Sequence, residues 1–302
     1  RRTHIIKTHF RHRLPAWVLA AAALLFILIA GYFFLQTHRA GVSARTALYR
    51  EQYQRALNSL ISEHVFPDGT PVDVTFIKDG DFSHNHFSVC DIDGDGTEEL
   101  IISYSHASMV GMVYYILQYM PESEDFHMEL LAFPGEEIYT NGYITIQASH
   151  NQGIGNSFWP YAVFQYDRTQ DVYTRIAFVE AWEKETFPTD RLGNAYPDQV
   201  DTSGTGYVYR ITRAGQDTGD APWVDYTDYG LFLESTYGNA PIFNMDYLPI
   251  TEEHIAGLLP AQPYAPIARV IELMPQALCE IKNALCSCMT QKAPEPPAAP
   301  QP

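Results

Sequence analysis

Phe87-Ser88-Val89-Cys90-Asp91-Ile92-Asp93-Gly94-Asp95-Gly96-Thr97-Glu98-Glu99-Leu100-Ile101-Ile102-Ser103-Tyr104 is the stretch from which the fold can be read. Phe87-Ser88-Val89 alternates apolar with polar, and Leu100 to Tyr104 is a short apolar run. Both ends therefore read as strands, and what lies between them is a strand-joining loop. In that loop Asp91, Asp93 and Asp95 are separated by Ile92 and Gly94, with Gly96 next and Glu99 closing the set. A tightly turning chain aims alternate side chains at one point, and Gly96 permits the turn because it has no Cβ. Calcium takes six to eight oxygens at about 2.3–2.6 Å in flexible geometry. The expected ligand set is the carboxylates of Asp91, Asp93, Asp95 and Glu99 with the carbonyl of Thr97. An EF-hand loop needs a bidentate Glu at its twelfth position, and here that position is Ile102. The plainer reading is a solvated acidic turn, since Asp and Gly dominate turns. Three aspartates in five residues repel one another without a cation, which favours the metal.

The pattern D-x-D-G-D-G-x-x-E-L over Asp91–Leu100 resembles the calcium loops of FG-GAP and VCBS repeats. Those repeats occur in integrin-type β-propellers and in many bacterial surface proteins. Propellers carry several copies, and this chain has one. A single such loop behind a membrane anchor looks like a group of uncharacterised bacterial membrane-anchored exported proteins and lipoproteins. The resemblance implies a Ca2+ site and no activity.

The chain has 302 residues and a formal net charge of −17. Residues 1–36 hold five basic side chains (Arg1, Arg2, Lys7, Arg11, Arg13) and no acid, leaving 14 basic and 36 acidic residues beyond them. That split points to two environments. Ala16 to Leu35 is an uncharged run of twenty residues, about 30 Å as a helix, with Trp17 and Tyr32 at its edges. The reading is a cytoplasmic basic segment (1–15), a transmembrane helix (16–36), an exported domain (43–289) and a Pro/Ala-rich disordered tail (290–302). The basic flank places the N-terminus in the cytoplasm and the C-terminal domain outside. A cleaved signal peptide, with Val42-Ser43-Ala44 as its site, is the rival. Its apolar core would run about 7–15 residues, and this one is longer. Arg1-Arg2 fits a positive-inside flank better than a twin-arginine signal, and no Cys follows the run for a lipid anchor. The chain opens on Arg1, so its natural start is expected upstream. An acidic exterior excludes nucleic acid and anionic lipid surfaces as partners.

The exported part reads as α+β, an antiparallel β meander with flanking helices. Ser43 to about His64 is an amphipathic helix with Leu48, Ala56, Leu57, Leu60 and Ile61 on its apolar face, ended by Pro67-Asp68-Gly69. Strands are expected at 112–119, 126–133, 142–149, 161–166, 172–179 and 206–212, with no helical crossover for a parallel sheet. Residues 183–204 and 214–248 read as loops. Thr251 or Ile250 caps a short helix, and a longer one, kinked at Pro275, runs to about Met289.

Weaker constellations remain. Asp217, Asp220, Asp225 and Asp228 could hold a second cation, though solvated loop is the simpler reading. Trp223, Tyr226, Tyr229, Tyr237 and Tyr247 could line a groove for sugar or peptide, though packing explains most such aromatics. His84, His86 and His106 could meet a transition metal, but surface histidines are commoner. Cys279, Cys286 and Cys288 crowd near the end, with a bridge involving Cys279 open to them, and Cys90 reads as a small buried apolar residue. No G-x-S-x-G, P-loop or H-E-x-x-H is present. Two functions follow: a non-catalytic binding or envelope-associated module with a glycan or protein partner, or a cell-envelope hydrolase using carboxylates of the 183–248 loops.

Overall fold

A computed structural model describes residues 44–259 apart from 152, 153 and 156, together with Tyr32. Apart from Tyr32, the expected transmembrane segment lies outside the described residues, as do the C-terminal helix, the tail and the three C-terminal cysteines. Among the described residues, no helix is long and apolar enough to cross a membrane.

Residues 44–62 form helix α1. Its buried face is Tyr49, Tyr53, Ala56, Leu57 and Leu60, which recur at the helical period. Leu48, expected on that face, is exposed; the two tyrosines take its place. The helix stops at residue 62, short of the expected Pro-Asp-Gly stop: His64 takes φ +57°, and turn residues 67–69, with Gly69 at φ +82°, close the Val65–Pro71 bridge instead.

Among the described residues eleven strands follow, every pair antiparallel, in two sheets. The first contains β1 (His86–Cys90), β2 (Glu99–Tyr104), β3 (Val113–Met120), β4 (Asp125–Ala132) and, at its edge, β11 (Leu248–Pro249), in the order β11-β1-β2-β3-β4. The second contains β5 (Glu136–Tyr139), β6 (Tyr143–Gln147), β7 (Tyr161–Asp167), β8 (Val172–Glu183), β9 (Tyr207–Arg213) and β10 (Trp223–Val224), in reverse chain order. The expected meander is therefore real but breaks between β4 and β5, at Pro134-Gly135. Gly135 sits at φ +119° there, where other residues are strained.

The first sheet is covered on both faces, which is why β2 and β3 read as continuous apolar runs. On one face Leu100, Ile102, Tyr115, Leu117 and Tyr119 cluster with Tyr53, Leu57 and Leu60 of α1. On the other, Ile101, Tyr114 and Ile116 cluster with Ile138, Ile144, Ile146 and Tyr173 of the second sheet. Each fully buried Leu or Ile in these layers contributes about 1.5–3 kcal/mol. Helix α2 (Tyr226–Ser235) lies in the 214–248 stretch that sequence reads as loop. It buries Phe232 against Val163, Ala177 and Val179 of the second sheet. Helix α3 (Glu252–Ala256) begins where expected, with Thr251 Oγ1 accepting from the His254 amide.

Candidate metal centre

The loop of residues 91–98 joins β1 to β2, and the last register pair of the hairpin is Cys90 with Glu99. The loop is built from Asp side chains bonding its own backbone. Asp91 Oδ1 accepts from the Gly94 amide at 2.8 Å and its Oδ2 from the Gly96 amide at 3.0 Å. Asp93 Oδ1 takes the Asp95 amide at 2.9 Å, and Asp95 Oδ1 the Thr97 amide at 2.6 Å. Gly94 and Gly96 stand at φ +77° and +92°. Both are required, because an L side chain is disfavoured at such angles.

Helix α1 clamps the far end of the loop. Arg50 holds the Glu98 carboxylate with two bonds of 2.7 and 2.5 Å, and the Tyr53 hydroxyl donates to the Glu98 carbonyl.

The carboxylates of Asp91, Asp93 and Asp95 converge, with ligand oxygens all within 4.8 Å of one another. Glu99 is separate from this trio. It is fully buried, its Oε2 accepts from the Ile92 amide at 2.8 Å, and its Oε1 has no donor. Burial pushes the Glu99 carboxyl up to about 9, and the charges of Asp93 and Asp95 add to that against the bond from Ile92. Burial likewise raises Asp93, helped by Asp95 and Asp171. A cleft of about 410 Å³ opens beside the loop, lined in part by Asp91, Asp93, Tyr166, Arg168 and Phe243.

Two acidic residues absent from the sequence reading complete the surroundings. Glu129 comes from β4 and Asp171 from the β7–β8 turn, and with Asp93 they form a second group whose ligand oxygens lie within 4.8 Å of one another. The register explains Glu129: Ile116 pairs with Leu130 and Leu117 with Met128, so Glu129 is the extra residue of a β-bulge. The bulge turns both Glu129 and Leu130 inward. Asp171 adopts φ +56°. Its carbonyl accepts from His127 Nε2 at 2.6 Å and its Oδ1 from the Tyr166 hydroxyl at 2.5 Å.

The weaker constellations separate cleanly. Asp225 is held by Ser203 and Thr202, whose hydrogen bonds draw its carboxyl well below the usual range. Asp217 caps the short 3-10 turn Thr218–Asp220. These aspartates do not converge as a cation site. His84 and His106 stack with ring centroids 4.7 Å apart. Among the described residues no His or Cys joins a metal-competent group. Cys90 is a free thiol that burial pushes up to about 11. The aromatics are largely engaged with each other: Tyr229 stacks on Tyr209 at 4.1 Å, and Tyr161 bonds the hydroxyls of Tyr229 and Tyr237 at 3.0 Å each. Trp223 lies under the Arg210 guanidinium at 4.0 Å. Tyr247 donates to Glu136 at 2.6 Å.

What this geometry defines is an all-oxygen, strongly anionic centre between two antiparallel sheets. Comparison of the chain with protein-family models, curated proteins and solved structures returns no match.

Proposed function

We propose that this chain is a membrane-anchored, extracytoplasmic calcium-binding domain acting as a non-catalytic binding or envelope-associated module, with a glycan or protein partner. The observation that carries the reading is the convergence of Asp91, Asp93 and Asp95 in a loop clamped by helix α1. The donors are all oxygen, which suits a hard cation rather than a transition metal. Thr97 supplies its carbonyl, and Glu99, whose Oε1 has no donor, closes the set. The FG-GAP-like spacing supports the same set. The ion's role is structural: it neutralises the aspartates and fixes the β1–β2 hairpin against α1.

At about 1 mM calcium and a dissociation constant of about 0.1 mM, binding adds about 1.4 kcal/mol to stability. Thermal melting with calcium and with chelator tests this. The wild-type chain melts a few degrees higher with calcium. Asp93→Ala removes a central ligand and abolishes the difference. An equal calcium shift in both proteins overturns the reading.

The anchor and orientation rest on the apolar run 16–35 and its basic flank. Protease added to intact cells should digest the domain of residues 43–289. A protected domain sinks the topology.

A further inference from the structure

Glu129 is only 2% exposed, and neither of its carboxylate oxygens has a hydrogen-bond donor. An interior carboxylate left without a partner is costly, and native structures rarely tolerate one without a reason. Asp93 Oδ2 is also buried and unpartnered. The charges that act most strongly on Glu129 are all acidic: Glu99, Asp171, Asp93 and Asp95. Glu129, at the β4 bulge, lies within reach of a residue from the other sheet, Asp171.

We propose that Asp93, Glu129 and Asp171 form a second calcium site, sharing Asp93 with the loop and tying the first sheet to the second. It rests on the loop reading only in that shared residue. Asp93 Oδ1, which also accepts from the Asp95 amide, is left to the loop ion, and its Oδ2, buried without a partner, serves the second. The Tyr166 hydroxyl holds Asp171 Oδ1, which orients that carboxylate and leaves Oδ2 as the ligand atom. His127 spends its Nε2 on the Asp171 carbonyl, so the donor set stays all oxygen. Three carboxylates from three separate elements, completed by water, suit the larger and less exacting Ca2+ rather than octahedral Mg2+.

The test is calcium stoichiometry of the detergent-solubilised full chain by equilibrium dialysis, with circular dichroism checking the fold of each variant. The wild type binds two ions. Glu129→Gln keeps the shape of the side chain and binds one. Asp171→Asn keeps a residue type tolerated at φ +56° and also binds one. Asp91→Asn loses the loop ion and retains the other. One ion in the wild type, lost in Asp91→Asn and kept in Glu129→Gln and Asp171→Asn, overturns the second site and leaves the loop reading intact. One ion lost only in Glu129→Gln and Asp171→Asn supports the new site and overturns the loop. One ion lost in all three variants means a single shared centre, and the second site falls.

Discussion

Asp73 shows how one side chain sets a local pH response. Its carboxylate accepts from the Ser108 amide and hydroxyl and from the Thr75 amide. The Ser108 hydroxyl bond is the largest of the causes that draw its pKa down to about 2. Gly111 is required beside it, because a Cβ there would come within 2.3 Å of the Asp73 Cβ. A carboxyl depressed in the folded state stabilises above its unfolded pKa, near 3.9, and loses that contribution as pH falls toward 2. Unfolding of wild type and Asp73→Asn, followed from about pH 5 down to about pH 2, should show the gap between them shrinking. A gap that is constant over this window would remove the charge from the explanation. The same scale separates what sequence can reveal of the candidate metal centre from what it cannot. Asp91, Asp93 and Asp95 announce themselves because their spacing is local and a tight loop turns spacing into convergence. Glu129 sits in Phe126-His127-Met128-Glu129-Leu130, where alternation puts it on the face of His127, opposite Phe126 and Met128, but no local signal says that Asp93 and Asp171 lie across from that face. Asp171 reads as one more turn residue, since its partners Tyr166 and His127 are fixed by the tertiary structure.

At the scale of elements, helix α1 is more than cover for the first sheet. The Tyr53 hydroxyl donates to the Glu98 carbonyl and accepts from the Tyr119 amide at 3.3 Å, so the helix holds the loop and β3 together. Tyr53→Phe keeps the ring in its buried place and removes both bonds. The expected cost is about 1–2 kcal/mol, or a few degrees in Tm. Because Glu98 lies between Thr97 and Glu99, calcium affinity should fall several-fold in the same variant, measured by titration calorimetry. Unchanged affinity with lowered Tm would confine Tyr53 to packing. Helix α1 was legible because its apolar period is a local signal. The six strands expected between 112 and 212 are legible to within a residue or two for most ends, though β8 runs on to Glu183 beyond the expected 179. Three short edge strands, β5, β10 and β11, were not, because two to four residues carry no period and their pairing is set by neighbours. Helix α2 escaped for a related reason: Tyr226-Thr227-Asp228-Tyr229-Gly230 mixes aromatics with a Gly that lowers helix propensity. Its place is decided by Phe232 entering the second sheet.

For the whole molecule, the acidic centre sits where the two sheets meet, and at that position the proposed calcium would couple the sheets as well as staple the loop. The β1–β2 loop and the β4 bulge belong to one sheet, and the β7–β8 turn to the other. An ion bound only by the loop opposes openings of that hairpin. An ion held by Asp93, Glu129 and Asp171 opposes any opening that parts β4 from the β7–β8 turn. Amide hydrogen exchange distinguishes the two. With about 1 mM calcium and a dissociation constant of about 0.1 mM, amides whose exchange requires release of the ion should slow about tenfold. The informative amides are Gly94, Gly96 and Thr97 for the loop, and Gln170 and Asp171 for the turn, whose amides bond Asp167 O at 3.2 and 2.8 Å. Wild type should slow at both places. Glu129→Gln should keep the slowing in the loop and lose it in the turn, because the ligand it removes serves the inter-sheet ion alone. Slowing confined to the loop in the wild type would mean that calcium leaves the contact between the sheets untouched.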